Sequence, residues 1–235
     1  METPEEKISR VRKIPSLIGW ARQNFRRSDK TRDSLMRLAE TKIQISLNSV
    51  YGLCRKRVYR ELTEDEAWDR ALAFSGFPGK AARSILPVFE EYIRERQIEA
   101  PEEFRDFAAP FPIGRDESGS PIVIPVKPTF ISIQEGELRP VFLVGWVDSP
   151  LDFHQRRLIA AIVRRSILSQ QDFLGSDADI VTFVRKKFSQ DRQLGVWKVL
   201  DMPDYSDSEL VDQFNIYTKA LRDVVAFLKD SGAGA

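Results

Sequence analysis

Cysteine and histidine are almost missing from this chain, with one of each in 235 residues. The single thiol, Cys54, excludes an intramolecular disulfide and any site built on two thiolates, in keeping with a reducing compartment. The one histidine, His154, lies 100 residues further on, so Cys54 reads as a small buried hydrophobe rather than a nucleophile. No apolar run approaches the roughly 18 residues that span a bilayer. The opening Met1-Glu2-Thr3-Pro4-Glu5-Glu6 also lacks the charged-then-apolar layout of a secretory signal. The expectation is a cytoplasmic chain with no membrane partner. Phosphate loops are missing too, because Gly76-Phe77-Pro78-Gly79-Lys80 has neither the spacing nor the Ser/Thr after lysine that holds magnesium. Nucleophile elbows and paired-cysteine zinc spacings are absent. No catalytic residue, metal site or cofactor is assigned.

What is present is 42% apolar residues, enough for one substantial core or two small ones, and an uneven distribution of charge. Residues 1–60 hold 15 Lys and Arg against 6 Asp and Glu, leaving 21 against 29 for the remainder, so a net +1 hides a surplus of +9 and a deficit of −8. Two explanations stay open: a basic surface aimed at phosphates or an acidic partner, or two parts that neutralise each other across an internal contact.

Apolar spacing organises the chain. Met36, Ile43, Leu47, Val50 and Cys54 recur at helical intervals and predict one long helix over 31–59. Thr63-Glu64-Asp65-Glu66 and Ser206-Asp207-Ser208-Glu209 are capping boxes opening further helices, the second continued by a seam of Leu210, Phe214, Tyr217, Leu221, Val224 and Leu228. A helix over 80–96 follows the break at Ser75–Gly79, with Pro87 at a kink or near its start. Its Glu90, Glu91 and Glu95 make it acidic where a DNA-recognition helix is usually basic, so the pair is a plain helical hairpin. Prolines and the turn-like Asp116–Ser120 mark 98–120 as a linker. Short β-rich runs follow at 122–124, 129–133 and 141–147, the last nearly all apolar and therefore central, with others at 180–184 and 196–200. Between them 151–169 reads as a helix that buries Leu158, Ile159, Ile162 and Val163 and turns Arg157 and Arg164 away. The expected organisation is a basic helical region 1–97, a linker 98–120, an α/β domain 121–230 and a frayed tail 231–235. In class this is α/β of the α+β kind, a mixed sheet with helices packed on it.

The order helix, three strands, helix, one or two strands, helix over about 80–229 resembles the core of the PD-(D/E)XK nuclease-like superfamily, a restriction-endonuclease-like fold. That resemblance implies an Asp near one central strand and an acidic-x-Lys pair on the next, where the carboxylates bind a divalent ion and the lysine orients water. The strand that should carry the pair reads Phe142-Leu143-Val144-Gly145-Trp146, with neither acid nor lysine. Asp148 comes just after it, and Lys186 and Lys187 follow a later strand. The resemblance therefore implies a fold whose catalytic site is empty and whose role is structural or DNA-holding.

Asp148, Asp152 and His154 lie within seven residues, but hard-cation sites need more carboxylates, and Asp152 suits a helix N-terminus beside an exposed histidine. The basic segments carry the stronger signal. Arg26, Arg27 and Lys30 stand with Arg22 and Arg32 around Trp20 and Phe25; Arg55, Lys56 and Arg57 stand near Tyr51 and Tyr59. Forked guanidinium donors suit phosphate and interleaved aromatics suit bases, although lysine and arginine also favour helix C-termini. With Arg157 and Arg164, these residues form the expected contact surface of a non-catalytic protein that binds DNA, RNA or an acidic protein. Two other readings remain: a metal-dependent nuclease with a migrated site at Asp148 and Glu135 or Glu137 with a lysine from another strand, and a protein-protein scaffold without nucleic acid.

Overall fold

The computed structural model describes residues 2–14, 16–41, 47–101, 103–146, 151–185 and 191–232. Its centre is a four-stranded sheet in the order β3 (Phe130–Gln134), β4 (Glu137–Val144), β5 (Asp179–Arg185), β6 (Arg192–Lys198). β3 and β4 form an antiparallel hairpin, β4 and β5 run parallel, and β5 and β6 are antiparallel. The parallel step needs a crossover, supplied by α7 (Phe153–Val163) and its π-helical continuation Arg164–Leu168.

Side chains alternate across a strand, and here each side of the sheet meets its own helical layer. Val141, Leu143, Val181 and Phe183 pack on α4 (Asn48–Val58), α5 (Glu64–Ala73) and α6 (Gly76–Arg96). Phe142, Val144 and Ile180 face a second layer of α1 (Pro4–Arg12), α2 (Leu17–Gln23), α3 (Ser28–Glu40), α7 and α8 (Asp207–Gly232). Cover on both faces explains why β4 is apolar almost throughout. The α+β class expected from the sequence is the one observed.

Several local expectations are realised and several are corrected. The capping boxes at Thr63 and Ser206 form, and every member of the 210–228 seam is buried. The long helix expected over 31–59 is two helices: α3 ends at Thr41, whose extended backbone leaves the helix while its hydroxyl bonds the Arg37 carbonyl, and α4 starts at Asn48. Ile43, on which the single-helix reading leaned, lies outside the described residues. Ser75–Gly79 does not separate the helices as expected; α6 already starts at Gly76 and carries Pro87 in its interior. The stretch 98–120 is more than a connection, since it supplies β1 (Ala109–Arg115), which pairs with β2 (Pro121–Val126) as a two-stranded sheet. Residues 1–97 are distributed over both faces of the main sheet, with α1 and α3 against α8 and α2 against α7. No helix among the described residues is long and apolar enough to cross a membrane.

Candidate functional site

The basic N-terminal segment is divided by the fold into cations that are satisfied internally and cations that are not. Arg12 pairs with Glu117, Arg55 with Asp106 and the Arg105 carbonyl, and Arg60 approaches Glu99. Arg57 makes a bidentate pair with Glu90 at 2.7 and 2.8 Å, both side chains largely buried. Internal neutralisation thus accounts for part of the charge asymmetry. Arg164 donates to the carbonyls of Val199, Leu200 and Met202 and pins the chain after β6 to the π-helical turn. Of the residues expected to face a ligand, Arg55, Arg57 and Arg164 hold the fold together. Lys56 is exposed at the end of α4.

Two of the expected cations meet at one place. Arg26 and Arg157, 131 residues apart in sequence, converge on Tyr205: the Arg157 guanidinium lies 3.8 Å from the ring centroid, and both charges bear on the phenol. Arg157 also donates to the Pro203 and Asp204 carbonyls at 3.1 and 2.6 Å. Arg27, the N-cap of α3, and Lys30, in the first turn of α3, are exposed, with Arg27 held by its neighbour Asp29 at 2.6 Å.

Two further arginines extend this edge. Arg22, at the end of α2, lies 4.5 Å over the Trp146 ring, and Arg156, in the first turn of α7, lies 5.7 Å over Trp197. The Gln155 amide donates to the Arg22 carbonyl at 3.1 Å and joins the two helices. Trp146, Trp197 and Arg156 line one small cleft with Thr182, on the α7 side of the sheet where β4 and β5 end. Open α/β sheets place ligand crevices at the carboxyl ends of their parallel strands. The enclosed part is only about 20 Å³, room for a water rather than for a metabolite, since small-molecule pockets run to roughly 300–1,000 Å³.

Arg22 is the most informative member. It is half-buried, its burial pulls its pKa down, and among the described residues no carboxylate stands near enough to offset that. A desolvated cation without a counter-ion costs stability, and such costs cluster where a charged ligand binds. Sequence reading noted Arg22 only as a neighbour of Trp20 and missed Arg156, Trp146 and Trp197 as a group. The available signal was Trp146 closing the apolar run of β4 just before a helix.

Asp152 is the N-cap of α7, accepting from the Gln155 amide at 2.8 Å in a complete capping box, so its carboxylate is committed to the helix. Asp148 lies outside the described residues, as do Lys186 and Lys187. Among the described residues no three or more His, Cys, Asp or Glu side chains converge on a metal position. Glu135 and Glu137 flank the β3–β4 turn, at the opposite end of β4 from the Gly145-Trp146 step that leads to Asp148.

His154 was expected to be exposed and is instead 5% exposed, with Nδ1 2.7 Å from the Tyr205 hydroxyl and Nε2 without a partner among the described residues. Burial lowers its pKa to about 4, Asp152 opposes this, and Arg26 and Arg157 reinforce it. Because the folded value lies below the ordinary 6.5, the unfolded chain binds the proton first. The stability carried by neutral His154 is whole above pH 6.5 and is lost as pH falls through about 4. Urea midpoints of the parent chain should therefore drop across this window relative to His154→Phe; two parallel curves would refute the assignment.

No protein-family model matches the chain, and no curated protein matches it significantly. Among solved structures it is similar to one described as the crystal structure of SSO0001, at 10% identity and a TM-score of 0.36, over 86% of this chain and 84% of that one. At that distance the likeness decides nothing about fold or role.

Proposed function

We propose that this protein is a non-catalytic nucleic-acid-binding protein, and that its contact surface is the arginine–aromatic edge formed by Arg22, Arg26, Lys30, Arg156 and Arg157. The observation that carries the reading is Arg22, a half-buried guanidinium with no carboxylate among the described residues, stacked on a tryptophan beside a second such pair. Phosphate would provide a counter-charge that no described carboxylate supplies. Arg55, Arg57 and Arg164 are left out of the surface because each is paired with a carboxylate, Asp106, Glu90 and Asp204 respectively, whereas Arg156 and Arg157 donate to backbone carbonyls, which leave their charge in place. The sequence resemblance to nuclease-like folds, with its missing acidic-x-Lys pair, agrees with holding rather than cutting, although the first of its three expected strands, β2, pairs with β1 in a separate sheet.

The test is fluorescence anisotropy of labelled single- and double-stranded DNA and RNA at several salt concentrations, with magnesium present and the products resolved on a gel. Binding should weaken steeply with salt, because each neutralised phosphate releases counterions. In the triple variant R22Q/R26Q/R156Q the log–log slope for a single strand should shrink by about 2, from about 0.7 per lost contact. Salt-independent affinity would remove this reading. Cleavage would restore the nuclease alternative, and indifference to every nucleic acid would favour a protein partner.

A further inference from the structure

The proposed surface says nothing of what a tryptophan pair is for, since phosphates need only the arginines. Trp146 and Trp197 come from different strands, one following β4 and one within β6, and line the same cleft. Each is partly exposed and each has a guanidinium over its ring. The Trp197 indole N–H is buried and has no hydrogen-bond partner among the described residues. Beside it, Gly195 faces Thr182 across the β5–β6 ladder; a Cβ there would stand 2.6 Å from Thr182 Oγ1, so this position stays free of a side chain. The remaining lining, Val144, Leu151 and Val184, is apolar.

From these features we infer that the cleft is a base-stacking site specific for single-stranded nucleic acid: an unpaired base stacks at its mouth on Trp146 and Trp197, while Arg22 and Arg156 hold the flanking phosphates. This rests on the nucleic-acid reading above and narrows it. A duplex keeps its bases stacked on each other and offers this cleft only backbone, whereas every unpaired base has a face to stack. The small enclosed volume fits stacking at the mouth rather than engulfing, so recognition is tolerant of base identity.

Intrinsic fluorescence reads the site directly, because the other two tryptophans lie elsewhere: Trp20 is buried at 1% exposure and Trp68 stands on α5. Titrating the full chain with a short oligothymidylate should quench emission, and W146F and W197F should each remove part of the quench while W68F leaves it intact. A strand of equal length with abasic sugars should bind about tenfold more weakly, the loss of one or two stacked bases. Arg156→Gln, which removes a charge and leaves both tryptophans in place, should weaken both strands alike and keeps the test alive if a tryptophan variant misfolds. Equal affinity for the abasic and thymidine strands, or a quench that survives W146F and W197F, overturns the stacking site while leaving phosphate binding in place. Absence of binding to either strand overturns both.

Discussion

Asp179→Ala is expected to lower the unfolding free energy by about 3–5 kcal/mol, the cost of leaving a buried charge without its partner. Asp179 opens β5, is fully buried and accepts from the Arg139 guanidinium at 3.3 Å. Arg139, on β4, is only 11% exposed in its side chain, so its charge has no route to water when the carboxylate is removed. A domain holds only about 5–15 kcal/mol in all, so the variant should be near the edge of folding. The pair is also incompletely satisfied among the described residues, where Asp179 Oδ2 and Arg139 Nε have no partner. Replacing both ends by apolar residues should therefore cost little or nothing: the double variant R139M/D179L is expected to unfold near the parent's urea midpoint. If it proves as unstable as the single variant, the pair does more for the fold than charge compensation.

Trp20→Ala is expected to be of similar size, about 3–5 kcal/mol for emptying a large buried aromatic. The ring is 1% exposed and packs on Phe214 and Tyr217 of α8 with centroids 6.0 and 5.6 Å away, so it anchors α2 to the C-terminal helix. Its indole N–H is buried and unbonded among the described residues, which makes Trp20→Phe the informative control: that change removes an unsatisfied donor along with some volume, and should cost far less than alanine. Function follows packing here, because α2 also carries Arg22. Loosening α2 should weaken oligonucleotide binding by the alanine variant even under conditions where it remains folded. Unaltered binding in that variant would show that Arg22 is placed by α7 alone, through the Gln155 bond to its carbonyl.

The candidate site was legible in the sequence only in fragments. Arg26, Arg27 and Lys30 could be chosen because charge density is a local property, and they do remain exposed. Arg55 and Arg57 belonged to an equally basic run, yet their partners Asp106 and Glu90 lie 51 and 33 residues away and no local pattern announces them. His154 looked exposed because a lone histidine after an aspartate usually is; Tyr205, 51 residues later, closes over it.

What the sequence determined by itself was whatever depends on neighbours along the chain. The caps at Thr63, Asp152 and Ser206, the buried seam of α8 and the apolar run of β4 follow from hydrogen-bonding geometry and periodicity within a few residues. Even there, the same apolar spacing ran on across Thr41, where the chain leaves the helix, because periodicity records which face is buried and not whether the backbone is continuous. Only the tertiary structure decided which arginines are consumed by internal carboxylates and carbonyls and which are left over. It also brought Trp146, Arg156, Trp197 and Arg22 to one edge from α2, β4, α7 and β6. The reason is physical: charge pairing and ring stacking act through space over a few ångströms, and those separations exist only once the two helical layers have closed on the sheet.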